Sequence, residues 1–311
     1  MFNSTHTFVG LAVARCGMDR WVPRAAITAV VAANLPDIDI VTALSGTPAY
    51  LQYHRGITHS FVGIPVLALI LTAAIYIFSR NFWRTYLVAL VAMATHPALD
   101  YSNTYGLRPF LPWYQTWYYG DFLPIIDPYF DAVLLIGILA GEVFPNSKRL
   151  LTWISLGLVF AYLGARVELR NLAQSQVEIL AARTPGTEKW GVSPGILNPL
   201  IWDGIVQSSR QMLKVSIDPL DELMTEITRM QRSAPAEIPR QALESESASA
   251  LLQFVRFPVM RLHGTDYGYR VLIFDFRFYN ETTNTALGSE IVLDRSFHIT
   301  KETLSFQKTI E

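Results

Sequence analysis

The sequence predicts an α-helical membrane domain of about four to six membrane helices, followed by a small extramembrane α+β domain that is mostly β. Three observations support this prediction. Hydrophobic residues make up 51% of the 311 residues, and the mean hydropathy is +0.26. Only 16% of the residues are charged, whereas soluble proteins average about 25%. Long apolar segments precede residue 170 and strand-like alternation follows it. We therefore expect two domains, at residues 1–170 and 171–311.

Apolar segments of the first domain approach the roughly 20 residues that a membrane-spanning helix needs. Three of them are the strongest candidates, residues 60–78, 83–99 and 150–167, and residues 129–144 form a shorter apolar run. The segment 129–144 spans if Asp131 lies near an interface. Residues 6–18 and 22–36 are less apolar and are joined by a basic turn. They predict a helical hairpin that either enters the membrane partway or spans it at a tilt.

The second domain has a different pattern. Residues 170–183 predict a polar helix, and the proline- and glycine-rich residues 184–199 predict an irregular connection. Residues 218–231 are a helix candidate, and the polar residues 233–249 predict a mobile stretch. Alternation of apolar and polar residues recurs in four segments: 201–208, 211–218, 254–280 and 289–300. The first two predict a hairpin, and the others predict two or three further strands.

Basic residues indicate how the helices are oriented. They collect at three joints between the apolar segments: Arg15, Arg20, Arg24, Arg80, Arg84, Lys148 and Arg149. The positive-inside rule assigns these joints to the cytoplasmic face. The C-terminal domain is then on the outer face of a multi-pass inner (plasma) membrane protein. Four arginines also fall on that outer face, so the bias is incomplete: Arg55, Arg108, Arg166 and Arg170.

This orientation places eight metal-ligand residue types at the outer ends of the helices. They are His6, Asp37, Asp39, His54, His59, His96, Asp100 and Asp127. Imidazole and carboxylate groups bind zinc, manganese and iron, and ionisable groups at a membrane edge are rare and usually functional. Eight candidates exceed the needs of one tetrahedral ion. We therefore predict one to three divalent ions, zinc with manganese as an alternative.

Local spacing supports shared sites for these residues. His96 and Asp100 are four residues apart, so on a helix they project from one face, although Pro97 would bend or end that helix. Asp37 and Asp39 are two residues apart, and in an extended backbone they would point the same way. The spacing therefore predicts two pairs of ligands.

The segment around His54 and His59 leaves alternatives open. Gly56 permits a tight turn that would bring both imidazole rings to one centre. Arg55 would either neutralise an anionic substrate oxygen or clamp one of the two nearby aspartates. Asp127 precedes a proline, so it would either bind metal or simply begin the helix that follows.

The order of these motifs resembles the YdjM/DUF457 family of membrane-bound metal-dependent hydrolases. The motifs are LPDID at 35–39, HRGITHS at 54–60, H-x(3)-D at 96–100, GLRPF at 106–110 and DP at 127–128. The resemblance covers about the first 170 residues, and the pair LPDID and HRGITHS is specific. It implies a metal-dependent hydrolase and does not imply a particular substrate.

Two functions are compatible with these residues. In the first, a metal-activated water attacks a phosphodiester or ester of a membrane lipid or lipid-linked substrate at the outer face, with Asp39 or Asp100 as the general base and Arg55 on the substrate. In the second, the metal stabilises a structural or regulatory membrane protein without catalysis. The net charge of −1 argues against nucleic-acid binding, and the single cysteine, Cys16, excludes an intramolecular disulfide.

Overall fold

The structure is a computed structural model that describes residues 1–79, 81–195, 197–221, 223–234 and 237–308. The chain divides into two compact units. The first unit comprises Met1–Ile40, Arg55–Arg170 and Pro194–Pro199, and the second comprises Val41–His54, Asn171–Ser193 and Leu200–Glu311. Each unit therefore contains more than one stretch of chain. The functional division into 1–170 and 171–311 stays a prediction.

The apolar segments of the N-terminal half are helical. The described residues form nine α-helices: α1 (Asn3–Arg15), α2 (Ala25–Asn34), α3 (Thr47–Tyr53), α4 (Gly63–Ser79), α5 (Phe82–Tyr101), α6 (Pro128–Val143), α7 (Lys148–Arg183), α8 (Arg240–Leu243) and α9 (Glu246–Phe254). A 3₁₀ stretch, Leu35–Ser45, continues directly from α2. Helix α5 runs through Pro97 without a break.

Two helical stretches among the described residues are long and apolar enough to cross a membrane. They are Ala25–Ser45 and Pro145–Arg183, and the bent pair Thr47–His59 and Gly63–Phe78 would be a third. Helix α6 has 16 residues, which reach about 24 Å against a hydrocarbon core of about 30 Å. The predicted number of four to six membrane helices stays a prediction.

Small residues bring α1, α2 and α5 close together at the centre of the first unit. A Cβ atom on Gly10 of α1 would lie 2.8 Å from both the carbonyl oxygen of Ala29 and the Cβ of Ala33 on α2. Ala29, Ala33 and, on α5, Ala92 are fully buried. Close backbone approach through glycine and alanine is typical of membrane helices. It positions the polar ends of these three helices side by side.

A second cluster of apolar side chains joins α1 to α6 and α7. Val9 of α1 packs in it with Phe130 and Leu134 of α6 and Val159 of α7. All four side chains are buried. Apolar packing therefore fixes α1 from both sides, which restricts where its polar residues lie.

The second unit contains two four-stranded sheets of antiparallel strands. Their orders are β1 (Thr187–Pro194), β2 (Trp202–Ser208), β3 (Gln211–Asp218), β4 (Leu223–Gln231), and then β5 (Pro258–Thr265), β6 (Gly268–Asp275), β7 (Thr285–Asp294), β8 (Ile299–Lys308). The hairpin of β2 and β3 was predicted, and its register pairs Ile205 with Lys214. Side chains from both sheets, including Ile205, Met212, Val259 and Phe274, form one core.

Three sequence predictions for the second unit were wrong. The helix candidate at 218–231 is strand β4, whose β-branched Thr225, Ile227 and Thr228 suit pairing with β3. Strand β1 occupies part of the connection expected to be irregular, because Pro185 and Gly186 precede the strand and Pro194 only ends it, although Gly191 lies inside it. The stretch expected to be mobile contains α8 and the first turn of α9, and the Ser245 hydroxyl caps α9 by accepting from the Ala248 N–H. Residues 196, 222, 235 and 236 of these segments lie outside the described residues.

Candidate metal centre

Four side chains of the first unit direct donor atoms to one point. The Nε2 atoms of His59 and His96 are 3.1 Å apart. Asp37 Oδ1 lies 3.4 Å from each of these nitrogens, and Asp100 Oδ2 lies 3.4 Å from His59 Nε2 and 3.3 Å from His96 Nε2. A tetrahedral zinc ion with bonds of about 2.0–2.1 Å holds its ligand atoms about 3.3 Å apart. The spacing therefore fits a metal ion of that size.

The hydrogen bonds on the other side of each imidazole ring determine which nitrogen carries the proton. His96 Nδ1 is 2.6 Å from the carbonyl oxygen of Ala33, so Nδ1 is the donor. His59 Nδ1 is 2.9 Å from Thr58 Oγ1, whose hydroxyl donates to Asp39 Oδ2 at 3.0 Å. Because that hydroxyl hydrogen is already used, Nδ1 of His59 is again the donor. In neutral rings, both Nε2 lone pairs then face the two carboxylate oxygens.

Buried polar atoms at this point lack hydrogen bonds. Among the residues that the structure describes, Asp100 Oδ2 and both ring nitrogens of His6 are buried without a hydrogen-bond partner. The His6 ring stacks on the His96 ring with centroids 3.7 Å apart, and its Nε2 lies 3.6 Å from Asp100 Oδ1. Leaving such groups unsatisfied is costly. A cation among the lone pairs would remove this cost, so the donor set fits a metal ion.

Two helical segments supply three of the four donors. His96 and Asp100 lie one turn apart on α5, as their spacing predicted. Asp37 lies in the 3₁₀ stretch Leu35–Ser45, so the expectation of an extended backbone at Asp37 and Asp39 was wrong. Since a 3₁₀ helix turns about 120° per residue, residues two apart do not share a face. Asp37 faces the histidine nitrogens, whereas Asp39 faces the backbone N–H of Arg55 at 3.0 Å.

Arg55 holds Asp100 and not Asp37 or Asp39 through its side chain. Its Nη2 lies 3.0 Å from Asp100 Oδ1, and its Nη1 donates to Asn103 Oδ1 at 3.1 Å. The guanidinium group also lies 4.5 Å from the centre of the Tyr105 ring. The amino group of Met1 is a further contact of Asp100. These contacts leave Asp100 Oδ2 turned towards the two histidines.

Arg108, in the loop after α5, adds a second buried cation to this side of the unit. Burial lowers the pKa of its guanidinium, while the nearby Tyr105 and Asp39 act in the opposite direction. The group lies 4.7 Å from the centre of the Trp117 ring. An arginine remains protonated despite such a shift, so Arg108 contributes a positive charge near Asp39.

Asp127 and His54 are not among the four converging donor residues. Asp127 begins α6: its Oδ1 accepts from the N–H groups of Tyr129 and Phe130 at 3.1 and 3.0 Å, and its Oδ2 accepts from the Tyr162 hydroxyl at 2.8 Å. These contacts match the helix-start alternative. His54 belongs to the second unit, where its ring stacks on Tyr50 at 4.6 Å. Its sharing of a centre with His59 stays a prediction.

Sequence reasoning missed two groups that orient the donors, Asn103 and the Ala33 carbonyl. The Ala33 carbonyl is one of the last of α2, which have no partner within their helix and are often satisfied by side chains. That rule indicates a group to search for, but the sequence does not say which side chain meets it. Asn103 lies only three residues after Asp100, yet it acts on Arg55, far away in the chain.

Comparisons with known proteins find a family match in the part of the chain that contains the candidate metal centre. Residues 1–173, more than half of the chain, match the family model described as YdjM inner membrane protein. The chain belongs to this family. The uncharacterized protein YfhP of Bacillus subtilis (strain 168) is 25% identical over 211 residues, and the match covers 62% of this chain and 64% of YfhP. The chain thus spans less than two thirds of that relative. No solved structure matches the chain.

Proposed function

We propose that this member of the YdjM family is a membrane-bound metal-dependent hydrolase whose ion is held by Asp37, His59, His96 and Asp100. The convergence of four donor atoms, with neighbouring pairs 3.1 to 3.4 Å apart, carries the proposal. The metal is divalent, zinc or manganese. His6 is a fifth ligand-type residue beside the four donors, so we propose one to three ions in total. When bound, the ion supplies a Lewis acid that activates water and polarises the substrate.

Other residues of the chain orient the donors. Thr58 and Asp39 fix the His59 ring, the Ala33 carbonyl fixes the His96 ring, and Arg55 fixes Asp100. Such partners tune ligand basicity and ring orientation. Asp39 and Asp100 stay the two candidates for the general base, since a carboxylate oxygen of each lies 3.4 Å from a ring nitrogen of His59. The contacts of Arg55 support a positioning role over direct contact with substrate. His54 and Asp127 remain candidate ligands only in a site with more than one ion.

We propose further that the chain is a multi-pass inner membrane protein of four to six membrane helices, with the metal centre and the C-terminal domain on the outer face. Two of the basic joints adjoin one another: Arg15 and Lys148 both contact Glu142, and Arg149 Nε donates to the Cys16 carbonyl at 3.1 Å. One cytoplasmic end for these joints is consistent with the positive-inside rule. Arg80, in the third joint, lies outside the described residues.

The orientation is testable with single cysteines in a Cys16→Ser background. Asp19→Cys marks the basic end, and Ser296→Cys marks the turn between β7 and β8; both positions are exposed. On spheroplasts, a membrane-impermeant maleimide should label Ser296→Cys and should label Asp19→Cys only after the cells are lysed. The reverse pattern would place the C-terminal domain in the cytoplasm.

One observation favours the structural alternative. Two histidines and two aspartates complete a tetrahedral set, and closed sites with four protein ligands are usually structural, whereas catalytic zinc keeps one position for water. A hydrolase therefore needs an ion of higher coordination number, or a carboxylate that yields its position. The two functions differ in whether the bound ion exchanges water.

The first test is the metal content of detergent-purified full-length protein. Wild type and the control His298→Ala, whose side chain lies in the second unit, should hold at least about one ion per chain, and His59→Ala with His96→Ala should hold almost none. Wild type should then hydrolyse bis(4-nitrophenyl) phosphate or a 4-nitrophenyl ester in a chelator-sensitive way.

Folded wild type that stays metal-free with excess zinc or manganese would refute both functions. Bound metal without hydrolysis, and without water exchange in the manganese-loaded protein measured by water-proton relaxation, would leave the structural alternative.

A further inference from the structure

A large apolar cavity adjoins the metal centre within the first unit. Its volume is about 650 Å³, and His59 forms part of its wall. The remaining walls come from the start of α4, the C-terminal half of α5 and the loop that follows α5, through side chains such as Ile64, Leu90, Ala94 and Leu107. The imidazole that directs Nε2 to the metal centre therefore also borders an apolar space.

The chemistry of the walls selects an apolar occupant. Ser60 is one of the few polar residues there, but its Oγ donates to the Ile57 carbonyl at 2.8 Å and accepts from the Gly63 N–H at 2.9 Å. An apolar cavity of about 150 Å³ holds one benzene molecule, so this cavity has space for a chain of several times as many carbon atoms. A polar substrate would find little to bind in it. A hydrocarbon chain would fill it.

The surroundings of the cavity indicate where such a chain comes from. Helices α4 and α5 expose apolar side chains, including Leu69, Ile70 and Val91, as expected of surfaces that face lipid. At the rim, Phe110 packs edge-to-face on Phe61 and Tyr118, with ring centroids 5.3 and 5.2 Å apart. Aromatic rings of this kind concentrate at membrane–water interfaces. A bilayer lipid can therefore reach the cavity without leaving the membrane.

We propose that the cavity binds one hydrocarbon chain of a membrane lipid and presents the polar head group of that lipid to the metal centre. This assignment of a lipid substrate rests on the proposed function, whereas the binding of the chain does not. The hydrolysis consumes one water: its hydroxyl joins the phosphorus of a phosphodiester, or the carbonyl carbon of an ester, in the polar part of the lipid. The bond from that atom to the leaving oxygen breaks, and the remaining proton of the water goes to the leaving oxygen. The chain in the cavity anchors the substrate and does not react.

The test is photo-crosslinking of full-length protein in phosphatidylcholine nanodiscs. The probe is phosphatidylglycerol with a diazirine on one acyl chain. Ala94→Trp and Ala98→Trp fill the cavity from exposed positions on its wall, and the matched control Ala74→Trp adds the same side chain to an exposed position of α4 outside the cavity. Cross-links should map to α4 and α5 next to the cavity. They should fall about tenfold in the two cavity variants, since tryptophan displaces at least two methylene groups of the chain, and should not change in the control.

Labelling distributed over the exposed faces of α4, α6 and α7, equal in all variants, would overturn the proposal. Chelator-treated wild type separates the two ideas, because labelling needs no catalysis. Localised labelling without metal-dependent hydrolysis refutes the proposed function and keeps the lipid-binding cavity. Metal-dependent hydrolysis with labelling that Ala94→Trp leaves unchanged refutes the lipid-binding cavity and keeps the hydrolase.

Discussion

Two buried carboxylates of this chain, Asp100 and Asp275, are neutralised in opposite ways. Asp275 Oδ2 accepts from Nε and Nη2 of Arg277 at 2.9 and 2.6 Å, and its Oδ1 accepts from the Arg277 N–H. The guanidinium carbon of that arginine lies 5.1 and 5.0 Å from the ring centroids of Phe254 and Phe278. Asp100 has Arg55 on one oxygen, but its other oxygen faces two imidazole lone pairs. Protein donors thus satisfy both oxygens of Asp275, whereas Oδ2 of Asp100 is buried without a hydrogen-bond partner.

The unsatisfied oxygen of Asp100 distinguishes the proposed metal site from the structural ion pair of Asp275 and Arg277. Both carboxylates are fully buried, so burial alone does not distinguish them. The partners of each oxygen do: both oxygens of Asp275 accept from N–H groups, whereas Oδ2 of Asp100 has no hydrogen-bond donor and faces the Nε2 atoms of two histidines. Four predictions test this contrast, from the largest expected effect to the smallest.

Asp275→Ala should cause the largest loss of stability. It leaves Arg277 buried without its carboxylate, and breaking a buried pair in this way costs about 3–5 kcal/mol. Thermal unfolding followed by circular dichroism should show a lower midpoint with and without metal, and the metal content of the folded protein should equal that of wild type. A stability close to wild type would mean that Arg277 finds another partner.

Asp37→Asn should lower the stability of the metal-bound protein but not that of the metal-free protein. The asparagine N–H can donate to an imidazole Nε2, so the metal-free variant should be at least as stable as metal-free wild type. Metal at about 100 to 1,000 times its dissociation constant adds about 2.7–4.1 kcal/mol to a protein that binds it, and the variant should lose most of this increment. Unfolding midpoints with zinc and with chelator measure both. Destabilisation by Asp37→Asn in chelator would show that Asp37 has a structural partner, as Asp275 does.

Thr58→Val should weaken metal binding without removing it. It deletes the hydroxyl between His59 and Asp39, and loss of such an orienting group typically costs about 10–100-fold in affinity. Competition with a fluorescent zinc chelator measures the dissociation constant. Thr72→Val is the matched control, because the Thr72 hydroxyl donates to the Ala68 carbonyl of its own helix at 2.7 Å. Equal affinities for both variants would argue against the proposed proton arrangement of His59.

How far the site was predictable follows from the range of each interaction. Helix spacing placed His96 and Asp100 on one face, because that relation needs only four residues of chain. The pairing of Arg55 with Asp100 joins residues 45 apart, and local spacing suggested only the nearer aspartates as partners for Arg55. The backbone at Asp37 was also missed, since the helical turn that continues from α2 decides it. Local patterns therefore indicated the candidate donor residues better than the hydrogen-bond partners of those residues.

The fold shows the same limit. Long apolar runs predicted helices α4 to α7. Such runs are recognised from local composition alone, without knowledge of the residues that pack against them. Strand β4 was misassigned, since its conformation depends on pairing with β3 and its side chains are mostly exposed. Helix α9 was missed because its Ser245 cap lies in a polar stretch whose composition is typical of a loop.

Asp127→Asn should have the smallest effect, and it tests the one predicted ligand that the structure uses as a helix cap. Asparagine caps a helix about as well as aspartate. The free energy of unfolding, measured from the unfolding midpoint, should therefore fall by less than about 1 kcal/mol, which includes the weaker hydrogen bond from Tyr162. Metal content and zinc affinity should equal those of wild type, because Asp127 is satisfied by donors in the same way as Asp275. Asp127→Ala should cost about 1 kcal/mol more, again at constant metal content. Loss of metal in Asp127→Asn at unchanged stability would instead assign Asp127 to the metal centre, and satisfaction by protein donors would no longer separate the two kinds of buried carboxylate.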